Sequence, residues 1–224
     1  IVCNRGGYGA LRTVENIDWK RFKLAPKWLV GFSDITVLHS KLNELGMKSV
    51  HGAMPRYFIE KNAPSHSLLT LLNALEGRPN QYDVQPHHLN RTGVAKGQLV
   101  GGNLSILYSL RGTSYDLETD KKILFIEDLA EYLYHLDRMM MNLKVSGKLK
   151  KLSGLIVGGF TKMKDNETPF GKSAEEIIFD AVRDYKYPVV FGFPAGHQPE
   201  NVALKMGAEV KIDIQTERVT IIQP

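Results

Sequence analysis

Cysteine is almost absent: the 224 residues hold one, Cys3. That excludes an internal disulfide framework, fits a reducing compartment and argues against a zinc site built on cysteine. Long apolar runs are missing too. The strongest, residues 123–126, is far short of the roughly 20 residues that cross a bilayer. Charge of one sign does not dominate, since 29 Lys and Arg face 24 Asp and Glu for a net +5. The nearest thing to a basic cluster, residues 148–151, reads as a solvated helix end and not as a nucleic-acid patch. The chain has no initiating methionine and no basic-then-apolar leader. It opens on Ile1-Val2-Cys3-Asn4, which reads as a strand already under way. A segment upstream is therefore expected, and a signal peptide is not. Repeats and low-complexity tracts are also lacking.

Hydrophobic residues at 43% and charged residues at 24% suit a globular protein with a proper core. Strand and helix signals alternate in the first part. Residues 1–5 read as a strand, 6–9 as a glycine-rich turn and 10–17 as a short helix. Residues 28–32 form the next strand, 34–45 a helix and 48–51 a third strand. Residues 68–75 read as a helix closed by Gly77 and Pro79. Such alternation predicts an α/β fold with a parallel sheet covered on its faces. From 79 to 96 the pattern dissolves into Pro, His and Asn, a linker with room for a strand near residues 82–84. Beyond it, residues 97–100, 122–126, 155–157 and 189–191 read as strands, and 104–110, 133–143 and 174–185 as helices. The tail alternates at Val210, Ile212 and Ile214, then Val219 and Ile221, as a terminal hairpin.

The most informative stretch is Gly31-Phe32-Ser33-Asp34. An apolar strand ends there, and a helix with Ile35, Leu38, Leu42 and Leu45 on one face begins. A serine at such an elbow is pushed out beside the unpaired N–H groups of the next helical turn. An ordinary helix N-cap is the competing reading. A serine nucleophile needs a base and an orienting acid. Seven histidines are available. His197, on the glycine-flanked loop leaving the strand at 189–191, stands at the usual address of a catalytic base. His51 reads as a core group in an apolar strand. Glu127 ends the apolar strand 123–126 with Asp128 directly after it. Carboxylates rarely finish a buried strand without a partner. Glu131 is the alternative acid. The loop Arg5-Gly6-Gly7-Tyr8-Gly9 fails as a dinucleotide fingerprint because the G-x-G-x-x-G spacing is absent. It could lend an oxyanion donor or be a plain turn.

Taken in order, Arg5-Gly6-Gly7-Tyr8-Gly9, Gly31-Phe32-Ser33-Asp34, Gly101-Gly102-Asn103-Leu104, Glu127-Asp128 and Gly196-His197 resemble the LD-carboxypeptidase family. That family of serine peptidases contains the murein tetrapeptide carboxypeptidases and the microcin C immunity peptidases. The resemblance covers essentially the whole chain but not the family's first strand and helices. It implies two domains: an α/β nucleophile domain over residues 1–78, incomplete at its start, and a smaller, mixed, β-rich domain over 97–224 after the linker at 79–96. It implies a triad of Ser33, Glu127 and His197, with an oxyanion hole from the Asp34 N–H and a loop glycine, Gly7. A terminal carboxylate must also be recognised, with Arg5 and Arg138 as candidates, and Asn103 is a further candidate for substrate binding. The resemblance further implies a cytoplasmic homodimer acting on murein peptide without metal or cofactor, and with no nucleic-acid or membrane partner.

The leading expectation is release of the terminal D-alanine from murein tetrapeptide in peptidoglycan recycling. An immunity-type peptidase cleaving an amide in a peptide–nucleotide antibiotic ranks lower. It should need an aromatic grip, and neither Trp19 nor Trp28 lies in an obvious specificity loop. An inactive binding or dimerisation remnant ranks lower still, because Ser33, Glu127 and His197 are all intact.

Overall fold

The computed structural model describes residues 1–58 and 65–224. Helices α1 (Ala10–Val14) and α2 (Trp19–Leu24) precede strand β1 (Val30–Gly31) and a single 3-10 turn at Ser33–Ile35. There follow α3 (Thr36–Glu44), β2 (Ser49–His51), α4 (Pro55–Phe58) and α5 (Ser65–Leu75). The second part runs β3 (Asn80–Val84), β4 (Gly93–Asn103), α6 (Leu104–Ser109), β5 (Ile123–Leu129), α7 (Leu133–Val145) and β6 (Gly154–Thr161). It ends with α8 (Ala174–Val182), β7 (Val189–Val190), β8 (Leu204–Met206), β9 (Glu209–Ile214) and β10 (Val219–Gln223). None of the described helices is long and apolar enough to cross a membrane.

Two sheets result, ordered β1-β2-β8 and β3-β10-β9-β4-β5-β6-β7. In the first, β1 and β2 are parallel, with Val30 opposite Val50. Strand β8 comes from far along the chain and closes that sheet antiparallel, His51 opposite Leu204. In the second, β4 to β7 are parallel, and the terminal hairpin lies antiparallel beside β4. The stretch expected as a linker contains β3, which pairs with β10, and the start of β4.

Strand β4 shows why one sequence serves two kinds of pairing. Residues 93–98 pair with β9 and are only partly buried. Residues 99–103 pair with β5, are buried on both faces and read as a continuous run. Period-two alternation on β5 sends Leu124 and Ile126 into the core beneath α6, α7 and α8. Ile123 and Phe125 enter the opposite core with Phe193, Leu204, Ile212 and Ile221. The next residue on that second face is Glu127. The β5–β6 register slips between Ile126 and Asp128. Bulges of this kind re-aim side chains beside sites.

Candidate active site

Strand β1 delivers the chain to Phe32 in extended conformation, φ −153°, and Ser33 then takes φ 66°. A non-glycine residue in this left-handed region is strained by about 1–3 kcal/mol. Ser33 is not a conventional N-cap. It is the first residue of the 3-10 turn, and its Oγ lies 3.1 Å from His197 Nε2. The elbow tolerates this only because Gly6 is a glycine: a Cβ there would stand 2.8 Å from Ser33 Cβ and 3.0 Å from Oγ.

Three ties hold the first turns after Ser33. The carboxylate of Asp34 accepts from the Ala10 N–H at 2.8 Å. Thr36 Oγ1 accepts from the Asn103 N–H at 3.0 Å. His39 lies 3.0 Å through Nε2 from the Gly31 carbonyl and 2.8 Å through Nδ1 from Ser49 Oγ. A carbonyl only accepts, so Nε2 carries the proton and Nδ1 accepts from Ser49. Burial pushes the His39 pKa down to about 4, against the opposing pull of the Gly31 hydrogen bond.

His197 enters from the loop after β7. Its Nδ1 is 2.7 Å from Glu127 Oε2, and its own N–H donates to the same oxygen at 3.1 Å. Gly196 makes room with φ 107°, where a Cβ would stand 2.6 Å from Glu127 Oε2. Asn201 Oδ1 accepts from the Gly196 N–H at 2.8 Å, and Thr161 Oγ1 donates to the His197 carbonyl at 2.6 Å. Phe32 meets the imidazole edge-on with centroids 4.9 Å apart. Burial would lower the His197 pKa, but the hydrogen bond and charge of Glu127, helped by the charge of Asp128, raise it above its ordinary value of 6.5.

Glu127 is fully buried, so its partner decides its worth. Asp128 turns to the other face, where it accepts from Asn103 Nδ2 at 2.9 Å and from the Ser105 N–H at 2.9 Å. Burial raises its pKa to about 6 against these hydrogen bonds and that of Leu129, with the charge of Glu127 adding to the rise.

The structure thus joins Ser33, His197 and Glu127 in one hydrogen-bonded chain. Glu131 pairs instead with His135, at 2.6 Å. Asn103 is buried, and its side chain is spent on Asp128 and on capping α6. Arg138 lies over the ring of Tyr134, 5.3 Å from its centroid. Arg5 is exposed on the glycine loop. His51 is buried edge-on to Phe125 at 4.9 Å. Sequence reasoning missed His39, Asn201 and Thr161. Thr161 reaches the His197 carbonyl across 36 residues, and the contacts of His39 and Asn201 follow from how the chain around them is folded, which spacing does not show.

A hydroxyl, an imidazole and a buried carboxylate in series constitute an acyl-transfer apparatus. Comparison with known proteins narrows the family. The LD-carboxypeptidase N-terminal domain model matches residues 1–52, and the C-terminal domain model matches residues 96–212. The murein tetrapeptide carboxypeptidase of Pseudomonas aeruginosa is 32% identical, covering 92% of this chain and 70% of that protein. A Bacillus subtilis protein named as a probable murein peptide carboxypeptidase is also 32% identical, covering 100% of this chain and 71% of that protein. The crystal structure of muramoyltetrapeptide carboxypeptidase from Oxalobacter formigenes superposes with a TM-score of 0.91 at 27% identity, over 99% of this chain and 76% of that one. The Microcin C7 self immunity protein MccF shares the fold, with a TM-score of 0.84 at 20% identity over 99% of this chain and 74% of that one. On two matched domain models and these relatives, the chain belongs to the LD-carboxypeptidase family and is a serine carboxypeptidase.

Proposed function

We propose that the enzyme removes the terminal D-alanine from murein tetrapeptide, through a triad of Ser33, His197 and Glu127. The observation that carries the reading is the unbroken relay of 3.1 Å from Ser33 Oγ to His197 Nε2 and 2.7 Å from Nδ1 to Glu127. Ser33 Oγ attacks the carbonyl of the penultimate residue while His197 Nε2 takes its proton. The imidazolium then protonates the leaving amine of D-alanine, and an acyl-enzyme remains. Water, deprotonated by the same imidazole, attacks the ester and releases the tripeptide. Glu127 holds the ring in the tautomer with its proton on Nδ1 and stabilises the imidazolium.

The N–H groups of Asp34 and Gly7 are the oxyanion donors in this reading. Each is worth about 3–4 kcal/mol in well-studied hydrolases. Gly6 packs against Ser33, which keeps the glycine loop beside the nucleophile. Arg5, on that same loop, is the better candidate for the substrate carboxylate, since Arg138 is engaged with Tyr134. The murein substrate is supported by relatives whose names state that chemistry. From the family resemblance, the reading also takes a role in peptidoglycan recycling, a cytoplasmic setting and a homodimer.

The test is D-alanine release from murein tetrapeptide by the protein and by Ser33→Ala. Release by the parent alone is expected. Turnover retained by a folded Ser33→Ala variant would overturn the nucleophile, and a folded, inert parent would overturn the substrate.

A further inference from the structure

The glycine loop has little of its own to hold it. Arg5, Gly7 and Tyr8 are exposed, Tyr8 at 95%. Gly7 and Gly9 both have positive φ. Such a backbone is free to take many conformations unless something outside it chooses one. Helix α1, which follows directly, is also short of help. Its N-cap position is Gly9, which has no side chain to offer its first N–H groups. The Gly9 carbonyl already serves Arg12 and Thr13.

The missing acceptor comes from 24 residues away. Asp34 Oδ2 takes the Ala10 N–H at 2.8 Å, and Asp34 and Ala10 are only 7% and 9% exposed. Below this contact Ala10 and Val14 pack with Val37 and Leu38, so α1 rests on α3. Asp34 is also the residue next to Ser33, and its main-chain N–H is one of the two oxyanion donors proposed above. One residue therefore sits on both sides of the hole: its backbone supplies one donor, and its side chain grips the loop that supplies the other.

We propose that the Asp34 carboxylate is a positioning residue, which sets the separation of the two oxyanion donors by clamping the glycine loop through Ala10. The inference rests on the reading of Ser33 as nucleophile. It extends that reading to a side chain that touches neither the substrate nor the triad. A hydrogen bond of 2.8 Å from the Ala10 N–H fixes distance and direction together, which suits a clamp whose purpose is distance. Displacing one donor by about 1 Å costs on the order of a hundredfold in rate.

The experiment compares Asp34→Ala, Asp34→Ser and Asp34→Asn with the parent. Alanine removes the acceptor, serine is too short to reach Ala10, and asparagine restores an acceptor at the right reach. Three quantities are read: kcat and KM on tetrapeptide, affinity for a peptidyl boronate that forms the tetrahedral adduct, and amide exchange at Gly7 and Ala10. Alanine and serine should each lower kcat by about 30- to 100-fold with KM changed less than about threefold. Boronate affinity should fall by the same factor, and exchange at Ala10 should quicken. Asparagine should recover at least about tenfold of the loss. If Asp34→Ala does not fold, Asp34→Ser carries the test.

A loss of kcat with boronate affinity intact would overturn the proposal, because the donors would then be undisturbed. Slow exchange at Ala10 in the serine variant would overturn the clamp itself. Failure of asparagine to recover activity would show that charge and not reach is what matters, and would overturn it too. Ser33→Ala is assayed alongside. Retained turnover there refutes the nucleophile, whereas exchange at Ala10 reports on the clamp whatever the nucleophile is.

Discussion

The two sides of the site are built differently. On the side of the proposed nucleophile, β1 is two residues long and β2 three, and Ser33 is held at φ 66°. On the acid–base side, Glu127 belongs to a seven-residue strand inside a seven-stranded sheet, with a core on each face. The first side stores backbone strain, and the second stores a buried charge. Strain needs close packing around a short segment, which Gly6, Asp34, Thr36 and His39 provide. A buried carboxylate needs a low-dielectric surround and fixed donors, which a thick sheet and the main-chain N–H and Nδ1 of His197 provide. Errors on the first side should misplace an atom. Errors on the second should shift a protonation equilibrium.

That contrast is broken most severely at Glu127. Glu127→Gln should lower kcat/KM by about 10³–10⁴-fold, because an amide does not stabilise the imidazolium. The sign of the pH effect follows from His197. In the proposed mechanism its neutral form accepts the Ser33 proton, so activity should rise with pH through its pKa, which lies above 6.5 in the parent. Removing the negative charge leaves burial in command. The acid limb of the kcat/KM profile should then move to lower pH. An unmoved midpoint would mean that Glu127 is not the group that tunes His197.

Gly6→Ala tests the strained side. Its Cβ would press on Ser33 Cβ at 2.8 Å, so kcat should fall by about a hundredfold through displacement of Oγ. Its pH profile should keep the parental midpoint, and urea unfolding should show a loss of about 1–3 kcal/mol. A shifted midpoint would blur the separation between the two sides.

The smallest effect belongs to His39. Its folded pKa of about 4 is depressed relative to the unfolded chain. The stability it contributes is therefore full above pH 6.5 and is lost as pH falls toward 4. Between pH 7 and pH 5 that amounts to about 2 kcal/mol. His39→Gln should lack this component, so the difference in unfolding free energy between the two pH values should be smaller in the variant than in the parent.

Much of the architecture was legible because burial leaves a period in the chain. The alternation at residues 210–214 and 219–221 is the β9–β10 hairpin, and the apolar stripe from Leu133 onward is α7. The misses have separate causes. Helix α2 buries none of its residues, so it shows no stripe, although Asp18 caps it by accepting from the Arg21 N–H at 2.9 Å. Strand β8 is three residues long, too short for a period to declare itself. The helix expected from Asp34 begins instead at Thr36, because Ser33 in the left-handed region forces a 3-10 turn first.

Local chemistry was enough to set most of the elements, the elbow at Ser33 and the residue types of the proposed acyl-transfer site. These depend on side-chain size, polarity and backbone freedom within a few residues. Packing alone chose among the partners. It brought His197 to Ser33 across 164 residues and to Glu127 across 70, and sent the Asp34 carboxylate to Ala10 across 24. Such choices follow from which face of a sheet a residue shares and how two sheets meet, and hydrogen bonds of that range leave no periodic trace in the chain.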